Sequence, residues 1–292
     1  MPRILVEGCA GLASLSLAVV CGRPTPAPWS RPGSKTGYAQ ALLRLAGLSR
    51  WRPSEVWWAE PTADCRMMLR AYPDADTLRA AAALCREWGT AAGEEGQREL
   101  WARLKAEGPP GEYSAREVAR VAAVQVRTVS NATIEAFGGR FPGNWKPNVD
   151  RDHQAYPLDH PRDRIEVIAA GRWPRTRLYR DVREIEPVAD ALLYADWPYF
   201  GTMSYGPDDI TRPEALDVMR RWHAAGAFVM ASEAVPLDGD LGAGWWAVDI
   251  GSARTGAARS GANRGCVSEW VTMNRPPAWR PAVQGGLFGG GR

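Results

Sequence analysis

The chain has 292 residues, 45% of them hydrophobic and 24% charged, and a formal net charge of only +3. That balance excludes a disordered or fibrous protein and a bulk polycation that wraps nucleic acid. Of the 36 basic residues only Lys35, Lys105 and Lys146 are lysine, so planar guanidinium forks suited to phosphates and base edges dominate.

Ile4-Leu5-Val6 is a short apolar run, followed by Glu7-Gly8-Cys9-Ala10-Gly11 and then by small and aliphatic residues to Val20. This predicts strand, glycine turn, helix. The stretch 4–21 also has the look of a signal peptide, with Arg3 before it, but the charge of Glu7 inside it opposes membrane insertion. No other stretch approaches the roughly 20 apolar residues of a membrane span. Gly22 and Pro24, Pro26 and Pro28 end the first helix, and a second helix is expected over 39–45. Residues 55–59 predict a second strand, closed by Glu60-Pro61.

Between about 62 and 138, alanine, arginine and glutamate dominate, with helical spacing over 77–87, 99–107 and 115–129. Asp76-Thr77 and Ser114 are the expected N-caps. Residues 138–164 predict a long loop, because Pro142, Pro147, Pro157 and Pro161 oppose regular structure. Beyond it, strands are expected over 176–180, 191–195, 227–231, 245–250 and 267–273, with a helix over 213–225 capped by Thr211. The glycine-rich tail from 284 onward is expected to fray. The pattern predicts an α/β sheet domain made of 1–72 and 163–292, interrupted by a mostly helical insert at 73–162.

Cys9, Cys21, Cys65, Cys85 and Cys266 form no C-x-x-C pair and are odd in number, and His153, His160 and His223 are the only histidines. Neither a disulfide framework nor a metal site is expected, and the expected compartment is reducing. Fourteen tryptophans supply large rings for a core or for stacking on bases.

The most informative segment is Leu192-Leu193-Tyr194-Ala195-Asp196-Trp197-Pro198-Tyr199-Phe200-Gly201-Thr202, an apolar strand closed by an acid and an aromatic, proline-containing turn. In open α/β sheets, ligands bind beyond the carboxyl ends of strands. Asp196 there can accept hydrogen bonds from an amine, Pro198 stiffens the turn, and Tyr199 offers a flat face. The alternative is an Asp that serves the turn itself.

Asp196-Trp197-Pro198-Tyr199 resembles the D-P-P-Y motif of phage-type, Dam-like DNA N6-adenine methyltransferases, with tryptophan in second place. Val6-Glu7-Gly8-Cys9-Ala10-Gly11-Leu12-Ala13 resembles their E-P-F-x-G-x-G motif, which cradles S-adenosylmethionine. Gly33-Ser34-Lys35 is similar to their G-S-K element, and Ser232-Glu233-Ala234-Val235-Pro236 and Glu269-Trp270-Val271-Thr272 to late elements. The resemblance covers about 3–60 and 176–275. Departures are Cys9 in place of phenylalanine, Ala13 in place of the last glycine, and Trp197.

This resemblance implies a Rossmann-like methyltransferase sheet and direct methyl transfer to the exocyclic N6 of a flipped adenine. It implies Asp196, Trp197, Pro198 and Tyr199 as the catalytic set. Glu7, Gly8, Cys9, Ala10, Gly11, Gly33, Ser34, Lys35, Glu60, Asp181 and Asp196 would contact S-adenosylmethionine. Glu60 and Asp181 also read as a solvated strand end and a capping Asp. The implied partner is DNA, in the cytoplasm of a bacterial host, with neither membrane nor metal. Arg116, Arg120 and Arg127 are spaced to share one helix face and, with Arg140, Trp145, Lys146 and Arg151 of the loop, are the expected DNA contacts. Two other readings stay open: another amine as target (cytosine N4 or a hypermodified base), and a non-catalytic DNA-binding protein on the same scaffold.

Overall fold

Apolar runs without alternation suit strands covered on both faces, and the chain uses them so. A computed structural model describes residues 1–23, 25–29, 38–90, 93–129, 144–145, 158–197, 210–254 and 266–279. From the amino end they form β1 (Ile4–Gly8), α1 (Ser14–Cys21), α2 (Ala39–Leu45) and β2 (Glu55–Ala59). Helices α3 (Ala63–Ala71), α4 (Ala75–Gly89), α5 (Gly93–Ala106) and α6 (Ala115–Val126) follow. Two short strands, β3 (Thr128–Val129) and β4 (Asn144–Trp145), precede α7 (Asp159–Ala169). Then come β5 (Arg175–Tyr179), a 3-10 turn (Val182–Glu184), β6 (Ala191–Asp196), α8 (Arg212–Ala224) and β7 (Phe228–Glu233). The short α9 (Asp238–Leu241), β8 (Trp246–Arg254) and β9 (Cys266–Met273) complete the described elements. They divide into two units. One comprises Met1–Ala10, Gly37–Pro61 and Pro174–Arg292, the other Gly11–Thr36 and Thr62–Trp173. The insert expected at 73–162 lies within the second.

The first unit carries the expected α/β architecture: a seven-stranded mixed sheet in the order β5-β2-β1-β6-β7-β9-β8. The first five run parallel, and β9 is antiparallel to both β7 and β8. Buried residues fill β1, β2, β6 and β7, whereas the edge strand β5 alternates exposed arginines with half-buried residues, a pattern that discourages edge pairing. One face is a cluster of Val6, Trp57, Leu193, Ala195 and Val229 under Leu216, Met219 and Trp222 of α8. The α8 start is closed as expected: the Glu214 carboxylate accepts from the Thr211 N–H at 2.8 Å and from its hydroxyl at 2.6 Å. Asn274 continues the sheet past β9, accepting from Val229 N–H at 2.8 Å and donating to Ala227 O at 2.9 Å.

The second unit is helical. Leu78, Ala81, Ala82 and Cys85 of α4, Val118, Val121 and Ala122 of α6, and Ile165 and Ile168 of α7 are fully buried. Several expectations change here. The helix α3 goes unrecognised in the sequence because its nine residues mix charge with methionine. Residues 159–164, read as loop, begin α7. Pro161 falls in the first turn of that helix, where a missing N–H is harmless. The cap of α4 is Asp74, two residues before the expected position, and its carboxylate accepts from Thr77 N–H at 3.0 Å and Tyr113 O–H at 2.9 Å. α6 stops at Val126, and the residues after it pair with 144–145.

The expected solvent-facing stripe of arginines on α6 is not found. Arg120 is 1% exposed. It donates to both carboxylate oxygens of Glu117 and to the carbonyls of Leu104 (2.8 Å), Gly108 (3.0 Å) and Pro109 (3.2 Å). Leu104 lies in the last turn of α5 and Gly108 and Pro109 in the connection after it, so Arg120 ties the end of α5 and the following link to α6. Arg127 is fully buried, and desolvation pulls its pKa down to about 10, which leaves it charged at neutral pH. Only Arg116 is exposed, and its fork is closed on Glu107 at 2.7 and 2.8 Å. Arg120→Ala strands a buried carboxylate, one carbonyl in the last turn of α5 and two in the link beyond it. It is expected to lower stability by about 3–5 kcal/mol in urea unfolding, against less than about 0.5 kcal/mol for exposed Arg79→Ala.

Candidate functional site at the carboxyl edge of the sheet

The chain order of the strands reverses at β1. β2 and β5 are laid down on one side of it, then β6 and β7 on the other. Such a switch point opens a crevice beyond the carboxyl ends of the two diverging strands. In register across it, Glu7 faces Tyr194 and Gly8 faces Ala195, so Asp196 closes β6 directly beyond the end of β1. The glycine-turn and acid-turn segments, nearly 190 residues apart, are thereby brought side by side.

Alternation places Glu7, Tyr194 and Asp196 on one face of the sheet. Glu7 is 2% exposed, Glu60 beyond β2 is 3% exposed, and Asp196 is half-buried. Burying a carboxylate costs several kcal/mol unless it is paired and hydrogen-bonded. Three acids thus stand at the carboxyl ends of three adjacent strands, β2, β1 and β6. The N–H of Glu60 donates to Tyr179 O at 3.2 Å, which fixes the end of β2 against β5.

The turn after β1 is strained. Cys9 and Ala13 have φ of +55° and +53°, in the left-handed region that costs a non-glycine residue about 1–2 kcal/mol. Gly11 shares that region at +53°, and a Cβ there would meet nothing within 4 Å, so only conformation demands glycine. The Ala10 N–H donates to Ala59 O at 2.9 Å, so that amide ties the turn to β2 and is taken.

Asp181 caps the 3-10 turn. Its carboxylate accepts from Arg183 N–H at 2.8 Å, and the Arg183 guanidinium bonds both of its oxygens. Burial alone would raise its pKa, but Arg183 holds it below the ordinary carboxylate value. Arg183 also reaches Glu214 at 2.6 Å. This is the capping arrangement, and an adenine amine at Asp181 would have to share oxygens with Arg183.

Several polar groups at this edge had no assigned role in the sequence. The Tyr194 hydroxyl and Ser232 Oγ are 2.9 Å apart, and Ser232 is in register with Asp196. Glu233 and Glu269 are buried. The signal for them was a polar residue inside an otherwise apolar strand. Pro198, Tyr199, Gly33, Ser34, Lys35, Arg140, Lys146 and Arg151 lie outside the described residues, and of Trp145 only its place in β4 is described. Among the described residues no group of acids, cysteines and histidines is arranged to hold a metal ion, and no helix is long and apolar enough to cross a membrane. No protein-family model and no curated protein matches the chain.

The Arg183 cluster has a pH signature. Arg183 lowers the pKa of Asp181, whereas that of Glu214 is lowered chiefly by the hydrogen bonds from Thr211 with Arg183 adding; each carboxylate stabilises the fold above about pH 4–4.5, and that contribution fades as pH falls through the lowered values. Arg183→Ala is expected to flatten the acid limb of a plot of urea midpoint against pH below about pH 4. An unchanged limb would place the acid sensitivity elsewhere.

Proposed function

We propose that the chain is an S-adenosylmethionine-dependent DNA methyltransferase that acts on the exocyclic N6 of adenine. The observation that carries this reading is the pairing of β1 with β6, which sets Glu7-Gly8 beside Ala195-Asp196 at the switch point. Numbered along the chain, the seven strands of the sheet run 3-2-1-4-5-7-6 with the seventh reversed. That order supports the methyltransferase sheet implied by the sequence resemblance.

The donor set fits the cofactor. Carboxylates ending β1, β2 and β6 suit a ligand that carries a sulfonium, an ammonium and ribose hydroxyls. Glu7 and the glycine turn would hold its amino-acid end, and Glu60 its ribose. Bound S-adenosylmethionine supplies an electrophilic methyl group.

The adenine amine is a poor nucleophile, because its lone pair is delocalised into the ring. The Asp196 carboxylate and the Trp197 carbonyl each accept one of its N–H groups. Those two bonds draw the nitrogen toward tetrahedral geometry and aim the lone pair. Catalysis is thus positioning plus electrostatics. The base must leave the duplex to reach these acceptors, and Tyr199 stacks on it, an interaction worth roughly 1–3 kcal/mol.

Transfer of label from S-[methyl-3H]adenosylmethionine to DNA tests this. Wild type is expected to label DNA, with N6-methyladenine as the product in nucleoside mass spectrometry. Asp196→Ala is expected to lower kcat by about 10²–10³-fold. No label in DNA and no cofactor binding by calorimetry would reject the reading. N4-methylcytosine as product would move it to the other amine.

A further inference from the structure

Position 197 is where the chain departs most from the motif it resembles, and the fold gives that departure a place. Trp197 follows the last residue of β6 and is 1% exposed. Leu193, Ala195 and Trp197 belong to one buried cluster on one face of the sheet, together with Val6, Val182 and Met219. Alternation sends the Asp196 side chain to the opposite face.

The β1 residue in register with Ala195 is Gly8. A Cβ built on Gly8 would stand 3.2 Å from Val182 Cγ2 and 3.7 Å from Trp197 Cζ3. Gly8 thus leaves room for the indole and the Val182 methyl to lie against the end of β1. The indole Nε1 is buried without a hydrogen-bond partner among the described residues. An unsatisfied donor is a net penalty, so packing and not polarity holds the ring there.

We propose that Trp197 is a positioning residue. Its indole, wedged against Gly8 and Val182, fixes the carboxyl end of β6 beside the end of β1, and so fixes the Asp196 carboxylate on the far face. In D-P-P-Y the second residue restrains its own φ through the proline ring. Here packing beneath the strand end does that work. The catalytic consequence rests on the methyltransferase reading, whereas the coupling of the two strand ends does not. It follows that returning proline to position 197, the family's own residue, damages this chain.

The test compares full-length wild type, Trp197→Phe, Trp197→Pro and Trp197→Leu. Amide hydrogen exchange is read without ligand over 4–10 and 191–197, with 75–89 of the helical unit as internal reference. Kinetics are read as kcat and KM for cofactor in methyl transfer to DNA. Trp197→Phe keeps an aromatic ring in the cluster but is smaller and loses the N–H, so its exchange at both strand ends is expected to lie between wild type and Trp197→Leu. Trp197→Pro is expected to speed exchange at both strand ends by about tenfold or more, with 75–89 unchanged. Its kcat should fall about 10²-fold, as for a displaced catalytic group, and KM for cofactor should rise as the Glu7-Gly8 end of β1 loosens with it. Trp197→Leu should give the same local loosening, and it decides the matter if the proline variant does not fold. Wild-type exchange at both strand ends in Trp197→Pro and Trp197→Leu, or full activity in Trp197→Pro, would overturn the proposal. If wild type itself transfers no methyl group, the functional reading fails, and the exchange contrast alone still decides the wedge.

Discussion

The pairing of β1 with β6 is the constraint on which the rest depends. These strands are neighbours in the sheet and far apart in the chain, and their parallel register leaves both carboxyl ends at the same edge. A one-residue slip of β1 against β6 would turn Glu7 to the opposite face from Asp196 and drive Val6 out of the α8 cluster. The apolar contacts that stabilise the sheet therefore also set the positions of the acids.

The same edge concentrates features that a fold built for stability alone would avoid. Cys9 and Ala13 hold left-handed backbone, Glu7 and Glu60 are buried acids, and Trp197 hides an unsatisfied N–H. The left-handed backbone at Cys9 and Ala13 and the unpaired indole N–H are each a local penalty of about 1–3 kcal/mol that persists only because the surrounding packing imposes it. The helical unit contrasts with this. Its buried Arg120 and Glu117 satisfy one another and carbonyls at and beyond the end of α5, which is structural use of charge.

Much of the sheet was legible because buried parallel strands are runs of apolar residues between turn formers. The run at 55–59 gave β2 to the residue, and 191–195 gave β6 to within one. The candidate acids Glu7, Glu60 and Asp196 were picked out because they close such runs, and the structure places them at the ends of adjacent strands. Periodicity failed where tertiary contacts decide. Pro161 reads as a breaker unless it falls in a first turn, and that depends on where α7 starts. Arg120 and Arg127 share spacing with Arg116, but spacing does not say which face meets solvent, and the carbonyls at and beyond the end of α5 captured Arg120. Trp197 as a wedge was illegible too, since its partner Gly8 is distant in the chain and looks like any turn glycine.

The most direct test of the account is a crystal structure with S-adenosylhomocysteine. The account predicts ligand density at the carboxyl edge between β1 and β6, with its amino-acid end at Glu7 and the glycine turn and its ribose at Glu60. Density elsewhere on the molecule, or no binding at saturating ligand, would contradict it.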